Sequence, residues 1–476
     1  MKIAFVVSEV EDIIKTGGLA DVAKALPVAL KGLGHDVCII MPGYQKVLAK
    51  LESLHNIPIS TMGDSSFKLF EVALQGIPVY LVDHPYFDRP ELYAENNVAY
   101  SDNGQRFAFF SHTVTDVLQA VNFIPDIIHC NDWHTALTPF FIRQHTTAAQ
   151  MASLPAVFAN TKTVLTIHNA AFQGIFSVND IAELAPYHHA LLLDHHGDVN
   201  MLKVGIHYAD KITAVSPTYA TELLTDLGSH GLHFALQNRS TDLAGIINGC
   251  DYTQWDPTTD PLLPKNYSVA DMSGKADCKQ ALQSQFGLPT VSSIPVFGMV
   301  CRLTQQKGFG YILPILGQLM QHNIQVVIVG TGEPFVCQQL SDFAKVHPDK
   351  FAFLEGFEPE LAHLIEAGSD FFLMPSEFEP CGLNQMYSLA YGTLPIVRKV
   401  GGLKDTVTGI DDDPTCATGF SFAEPEPQAL LTCLRRAILL YLEHPKMYRE
   451  MQERAMHTKF TWENSARDFV RLYQQT

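Results

Sequence analysis

Positive charge is what this chain most lacks. Only 32 of its 476 residues are Lys or Arg, against 50 Asp or Glu, a formal net charge of −18. Such a surface repels phosphate backbones and anionic headgroups, so neither nucleic acid nor membrane is an expected partner. No stretch approaches the ~20 consecutive apolar residues that a membrane-spanning helix needs. The apolar start, Met1 to Val7, is too short for a signal peptide and runs into Glu9, Glu11 and Asp12, so it reads as a first strand. The nine cysteines are scattered, odd in number and without a Cys-x-x-Cys pair. That pattern points to a reducing cytoplasm and away from a disulfide framework or a zinc cluster. Low-complexity segments and short repeats are missing too. An anionic substrate stays open, provided a few cations gather in one cleft.

What is present is apolar and regularly patterned. Hydrophobic residues make up 47% of a chain long enough for two or three domains. Short β-rich runs at 36–41, 79–82, 127–130, 163–167 and 211–215 alternate with helical patterns such as 105–121 and 200–208. A second unit of the same kind begins near Ile294, with strands at 295–300, 325–329, 351–355 and 371–374 and a helix at 309–322. Alternation of this sort predicts parallel sheets covered by helices on both faces. The Pro-, Asp- and Thr-rich stretch 251–264 reads as a linker, and 428–442 and 446–473 read as helical. The expected fold is α/β, with two doubly wound domains and a cleft between them, ligands lying at the carboxyl ends of the strands.

Five segments at such strand ends carry chemistry. Lys15-Thr16-Gly17-Gly18-Leu19-Ala20-Asp21-Val22 sits between a strand and a helix, where Gly17 and Gly18 let a phosphate approach backbone N–H groups and Lys15 adds a cation. A tight packing turn is the plainer reading of a glycine pair alone. Thr166-Ile167-His168-Asn169 places an imidazole after a buried strand, able to serve a sugar hydroxyl or simply to cap the strand. His129-Cys130-Asn131-Asp132-Trp133-His134 offers a carboxylate, an indole and an imidazole together, unless Asp132 is only a helix cap and Trp133 only packs. Cys301-Arg302-Leu303-Thr304-Gln305-Gln306-Lys307-Gly308 puts two cations beside a helix start, suited to a diphosphate leaving group and scarce enough here to be informative. In Pro375-Ser376-Glu377-Phe378-Glu379-Pro380-Cys381-Gly382-Leu383-Asn384-Gln385, Glu379 can accept sugar hydroxyls while Cys381, Gly382 and Leu383 open a helix.

Taken together, these segments resemble the bacterial glycogen synthases and plant starch synthases from Lys15 to about Trp462. The resemblance implies a GT-B architecture of two Rossmann-like domains facing a central cleft. It implies a domain at 1–250 with the acceptor side and the glycine loop, a nucleotide-sugar domain at 251–455, and a C-terminal helix at 456–476 packing back on the first domain. It further implies a retaining transfer of glucose from ADP-glucose to the non-reducing end of an α-1,4-glucan such as glycogen, without metal or other cofactor. In that reading His168, Arg302, Lys307, Glu379 and Lys15 serve catalysis. Glu9, Thr16, Gly17, Gly18, Asp21, Asp132, Asn169, Asn248, Phe357, Cys381, Gly382 and Leu383 serve substrate binding. Domain closure would exclude water, Arg302 and Lys307 would stabilise the departing ADP, and the departing phosphate would take the proton of the incoming hydroxyl. No protein nucleophile for a double displacement stands out.

The chain departs from the family pattern in places. Phe357 stands where an adenine-stacking tyrosine is usual, keeping the ring and losing the hydroxyl. Tyr387 stands where other retaining GT-B enzymes often carry a second glutamate. Gly228-Ser229-His230-Gly231-Leu232 and the histidines His188, His189, His195 and His196 are unlike the usual acceptor-side sequence. Spacings of seven would put those histidines in pairs on a helix face, a weak metal pattern without further ligands. Asp411-Asp412-Asp413-Pro414 reads as a solvated turn. Three readings compete with the main one: a related glycosyltransferase using UDP-glucose or another acceptor, a non-catalytic glucan binder, and a phosphorylase needing pyridoxal phosphate. Nothing in the sequence sets an oligomeric state.

Overall fold

The computed structural model describes residues 1–51, 55–58, 67–95, 98–152, 156–193 and 196–476. The chain divides into two compact units, Met1–Gly249 with Trp462–Thr476, and Cys250–Thr461. It leaves the first unit once, builds the second, and returns with its last helix, Trp462–Gln474. The expected boundary at 456 falls inside the helix Pro445–His457.

In chain order the strands of the first unit are β1 (Lys2–Val6), β2 (Asp36–Pro42), β3 (His55–Ile57), β4 (Lys68–Leu74), β5 (Ile77–Asp83), β6 (Ala94–Glu95), β7 (Val98–Ala99), β8 (Ile127–Asn131), β9 (Lys162–Ile167), β10 (Ile175–Ser177), β11 (Asp198–Asn200), β12 (Lys211–Ala214) and β13 (Leu243–Gly245). Nine of them form one sheet in the order β13-β12-β9-β8-β1-β2-β5-β4-β3. Ile3 to Val6 of β1 are all fully buried, the mark of a strand covered on both faces. The sheet is not wholly parallel: β4 runs antiparallel to both β3 and β5. The cause is the two-residue turn Gln75-Gly76, whose φ values of 48° and 76° match the twist of a hairpin.

The last helix packs against the helix Gly18–Gly32. It buries Ala466, Phe469, Leu472 and Tyr473, each large side chain contributing about 1.5–3 kcal/mol. Its Tyr473 hydroxyl reaches Nδ1 of His129 at 2.7 Å in the sheet.

The second unit adds β14 (Val296–Val300), β15 (Gln325–Gly330), β16 (Phe351–Glu355), β17 (Phe371–Met374), β18 (Leu394–Arg398) and β19 (Phe420–Phe422), all parallel, in the order β16-β15-β14-β17-β18-β19. Strand β14 sends Phe297 and Met299 into the core on one face and Val296 and Val300 into the core on the other. Two expectations need correction here. The helix expected at 309–322 is broken into Phe309–Ile312, a 3-10 turn Leu313–Ile315 and Leu316–Leu319, because Pro314 has no N–H to continue the ladder. The stretch 251–264 is packed structure, not a loose linker. Trp255 lies between the rings of His363 and Tyr387, at 3.8 and 4.0 Å, and the buried Asp260 accepts bonds from His363 Nδ1 (2.7 Å) and Tyr391 Oη (2.5 Å).

In each sheet the strand order reverses at a central strand, β1 between β8 and β2, and β14 between β15 and β17. The crevice outside the carboxyl ends at such a reversal is where doubly wound sheets bind ligands. Among the described residues no helix is long and apolar enough to cross a membrane.

Candidate active site

In the first unit β1 delivers Ser8 and Glu9 to the reversal point. Glu9 is buried, and its Oε2 accepts the Thr16 N–H at 2.5 Å and the Thr16 hydroxyl at 2.8 Å. Burial raises its pKa, while the bonds from Thr16 and Gly17 pull it back down. The glycine loop is therefore not a set of bare N–H groups, since Glu9 engages those of Thr16 and Gly17. The helix Gly18–Gly32 starts without a side-chain cap. Around it runs an ionic chain the sequence reading did not describe. Lys15 Nζ bonds Asp21 at 2.6 Å and Glu11 at 3.1 Å, and Lys24 meets Asp12 at 2.7 Å and Glu11 at 3.4 Å. Burial works against charge on Lys15, yet Asp21 and Glu11 outweigh it and hold the ammonium above its ordinary pKa.

The next two strand ends meet at His168. Asp132 follows β8 with a φ of 55°, its N–H donating to the Thr166 carbonyl at 2.9 Å. Its Oδ1 turns back to accept the N–H groups of His168 (2.7 Å) and Asn169 (3.4 Å). Asp132 thus caps the backbone after β9 rather than a helix. Burial pushes its pKa up to about 7, against the pull of those two bonds. The His168 ring keeps part of its surface open, but protein atoms surround it and desolvation lowers its pKa to about 3. Nε2 of His168 lies 2.9 Å from Oδ1 of Asn131. Beneath it, the buried His129 joins Tyr473 to Thr166 Oγ1 at 2.6 Å, and Thr166 joins Thr213 at 2.6 Å. Asn169 Oδ1 accepts the Ala171 N–H at 3.0 Å, and the Ala170 N–H donates to Tyr219 Oη at 2.9 Å. Trp133 and His134 do not offer themselves to solvent. They pack on each other at 4.1 Å and on Phe107, inside the core.

In the second unit the loops after β14 and β17 are stitched together. The Glu377 N–H donates to the Gln306 carbonyl at 2.8 Å, and Gln306 Nε2 donates to the Phe378 carbonyl at 3.2 Å. Gly308 makes this approach possible: its φ is 86°, and a Cβ there would sit 2.1 Å from the Pro375 carbonyl oxygen. Lys307 Nζ meets Oε2 of Glu379 at 2.6 Å, and the Ser376 hydroxyl donates to the same oxygen at 3.0 Å. Glu379 is buried, whereas Arg302, in the loop after β14, is exposed. Gly401 supports Glu379 from below, with a φ of 40° and room for no Cβ against the Glu379 carbonyl oxygen. Cys381, Gly382 and Leu383 precede the helix Asn384–Ala390 rather than opening it, with Gly382 at φ 74°. Glu333, which the sequence reading passed over, accepts the Gln305 N–H at 3.0 Å and so braces the Arg302–Lys307 loop.

Each unit therefore assembles its own group. The first gathers Glu9, Lys15, Thr16, Gly17, Gly18, Asp21, Asp132, His168 and Asn169. The second gathers Arg302, Lys307, Glu379 and the 381–383 turn. Asn248 is buried and follows edge strand β13. Phe357 is 66% exposed and follows edge strand β16. His189 and His196, seven residues apart, do not share a helix face. His188 Nδ1 caps a 3-10 turn, His189–Leu192, His196 has a φ of 55°, and His195 lies outside the described residues. Among the described residues no group of His, Cys, Asp and Glu is placed to hold a metal ion. Asp412 pairs with Lys399 and Asp413 caps Thr415 at 2.9 Å, so the acidic run is a bonded turn.

With the geometry in place, comparisons with known proteins are decisive. Residues 2–238 match the starch synthase catalytic domain and residues 284–458 the glycosyl transferases group 1. A glycogen synthase of Aeromonas salmonicida is 51% identical over 100% of this chain and 98% of its own length. One from Vibrio cholerae is 52% identical over 99% of this chain and 98% of its own length. The catalytic domain of Starch Synthase IV from Arabidopsis thaliana, solved bound to ADP and acarbose, superposes with a TM-score of 0.86 at 31% identity, over 99% of this chain and 98% of that one. A sucrose-phosphate synthase from Thermosynechococcus elongatus shares the fold, with a TM-score of 0.61 at 17% identity. The chain belongs to the glycogen and starch synthase family, glucosyltransferases of the GT-B fold that act in glycogen synthesis.

Proposed function

We propose that the chain transfers glucose from ADP-glucose to the non-reducing end of an α-1,4-glucan, with retention at the anomeric carbon. The observation that carries this reading is the Lys307–Glu379 pair at 2.6 Å, which joins the loops after β14 and β17 at the reversal point of the second sheet. A diphosphate leaving group needs fixed cations where its charge develops, and Lys307 with Arg302 supplies them. Glu379 then turns its acceptor oxygens to sugar hydroxyls. Phe357 offers an exposed ring on which adenine stacks. In the first unit His168 stays neutral beside the sugar, while Asp132 and Glu9 place negative charge that favours an oxocarbenium-like transition state. The departing phosphate takes the proton of the incoming 4-hydroxyl on the same face. All nine cysteines are free thiols, which supports a cytoplasmic setting.

The test is incorporation of glucose into glycogen from ADP-glucose, with UDP-glucose in parallel and both repeated in EDTA. Incorporation from ADP-glucose that survives EDTA supports donor, acceptor and metal independence together. Faster incorporation from UDP-glucose overturns the donor assignment. Incorporation from neither by the folded protein overturns the reading.

A further inference from the structure

His168 has two ring nitrogens, and which one carries the proton decides whether it gives or takes a hydrogen bond. Its neighbour Asn131 is the last residue of β8 and is fully buried, paired in register with Thr166 of β9. The Asn131 Nδ2 lies 3.1 Å from the Val6 carbonyl oxygen and 3.3 Å from the His129 carbonyl oxygen. Both partners are acceptors only, so the amide nitrogen must face them. An amide turned the other way would lose both bonds and set three oxygens against one another. Oδ1 is thereby left pointing at His168 Nε2, 2.9 Å away. An amide oxygen can only accept, so Nε2 must donate. A neutral imidazole protonated at Nε2 carries a lone pair at Nδ1. Among the described residues no hydrogen bond reaches that Nδ1, and it is not sealed as Nδ1 of His134 is.

We infer that Asn131 is a positioning residue for His168: it holds the imidazole as the Nε2–H tautomer, so that Nδ1 serves as the acceptor for a hydroxyl of the transferred sugar. The device spans three strands, since Asn131 binds the carbonyl end of β1, belongs to β8 and holds the residue after β9. It makes His168 an acceptor toward the sugar. It also gives the ring no proton to hand over at Nδ1, which suits orientation rather than acid catalysis. The inference deepens the proposed function and rests on it for the sugar, while the tautomer itself does not.

The experiment is long-range proton–nitrogen NMR of the full chain carrying nitrogen-15 histidine, with His168 assigned by its loss in His168→Gln. The expected result is a neutral ring protonated at Nε2 at neutral pH. Asn131→Leu should release the tautomer into a mixture and lower kcat/KM for the donor about tenfold, the worth of roughly one hydrogen bond. A wild-type ring protonated at Nδ1, or a tautomer unmoved in Asn131→Leu, overturns the inference. If Asn131→Leu does not fold, the wild-type tautomer decides it alone. A wild-type Nε2–H ring together with full glucosyl transfer by His168→Gln would instead overturn the sugar contact assigned under the proposed function.

Discussion

Replacing His134 by phenylalanine should make the protein less acid-sensitive, and the size of the effect follows from where the ring sits. His134 is buried against Trp133 at 4.1 Å, Tyr93 at 4.6 Å and Phe107 at 4.7 Å, and its Nδ1 is buried without a partner. Desolvation, with the Arg106 charge acting in the same direction, lowers its pKa from 6.5 to about 3. A base whose folded pKa is depressed stabilises the fold above its unfolded value and loses that contribution as pH falls toward the folded one. Between pH 7 and pH 5 the unfolded chain takes up about 0.7 of a proton at this position and the folded chain almost none. The linkage cost is about 2 kcal/mol over that interval, rising to about 5 kcal/mol below pH 3. Phenylalanine binds no proton in either state and keeps an aromatic ring among aromatic neighbours. The stability of His134→Phe relative to wild type should therefore improve by about 2 kcal/mol on going from pH 7 to pH 5, whatever its offset at pH 7. Urea unfolding of the full chain at both pH values, followed by tryptophan fluorescence, measures it. Trp133 and Trp462 both report on the first unit. A difference that stays constant within about 0.5 kcal/mol would show that His134 titrates normally in the folded protein and would refute the reasoning.

Three more outcomes can be stated. Lys307→Met should cost about 3 kcal/mol by leaving the buried Glu379 carboxylate without its cation, and Lys307→Met combined with Glu379→Gln should cost less, as a thermal denaturation cycle would show. Asp132, with its pKa raised by burial to about 7, changes charge near neutral pH. Its protonated form favours the fold at low pH, a contribution lost as pH rises through about 7, while its ionised form favours the transition state. So kcat should rise through neutral pH in wild type and lose that limb in Asp132→Asn, whereas a limb that persists in the variant belongs to another group. Phe357→Ala should weaken ADP binding by about 1–2 kcal/mol in calorimetry while Phe357→Tyr leaves it nearly unchanged, and equal affinities for all three would remove Phe357 from the base site.

The doubly wound design was legible because its strands are buried on both faces and read as unbroken apolar runs. Ile3 to Val6 and Val296 to Val300 need no partner to be recognised. The β4–β5 hairpin was harder, since its signal is confined to Gln75-Gly76 and its strands carry polar residues at a half-covered edge. Strand-end motifs singled out Asp132, His168, Lys307 and Glu379 because each follows an apolar run, whereas Glu9 entered only through the family resemblance. What sequence could not show is which polar groups already satisfy one another. Glu9 lies before the glycine loop, and only the fold turns its carboxylate onto Thr16 and Gly17. Asn131 was visible inside its motif, yet its role depends on two carbonyls, one of them on β1, and on a ring just after β9. A polar–apolar–polar pattern in a doubly buried strand, as in His129-Cys130-Asn131, is the one local sign that such a network exists, because a buried polar side chain must find a partner.

Both units solve the same problem, which is to hold scarce cations ready in a chain with a net charge of −18. Lys15 is closed by Asp21 and Glu11, and Lys307 by Glu379. The N–H groups of Thr16 and Gly17 are likewise engaged by Glu9. No desolvated charge at these points is left to be compensated by stray anions, and the loops are held in place before any ligand arrives. Under the proposed function, binding an anionic sugar nucleotide would be an exchange, in which phosphate or hydroxyl oxygens replace carboxylate oxygens around donors that are already oriented. Exchange gives modest net affinity, because each new bond is offset by one released. It favours a ligand presenting several oxygens in the right places over any single small anion. The carboxylates set free are not idle either. Under the proposed function Glu379 would become an acceptor for sugar hydroxyls in the same step that gives Lys307 to the leaving group, coupling recognition of the sugar to neutralisation of the phosphate through one ion pair.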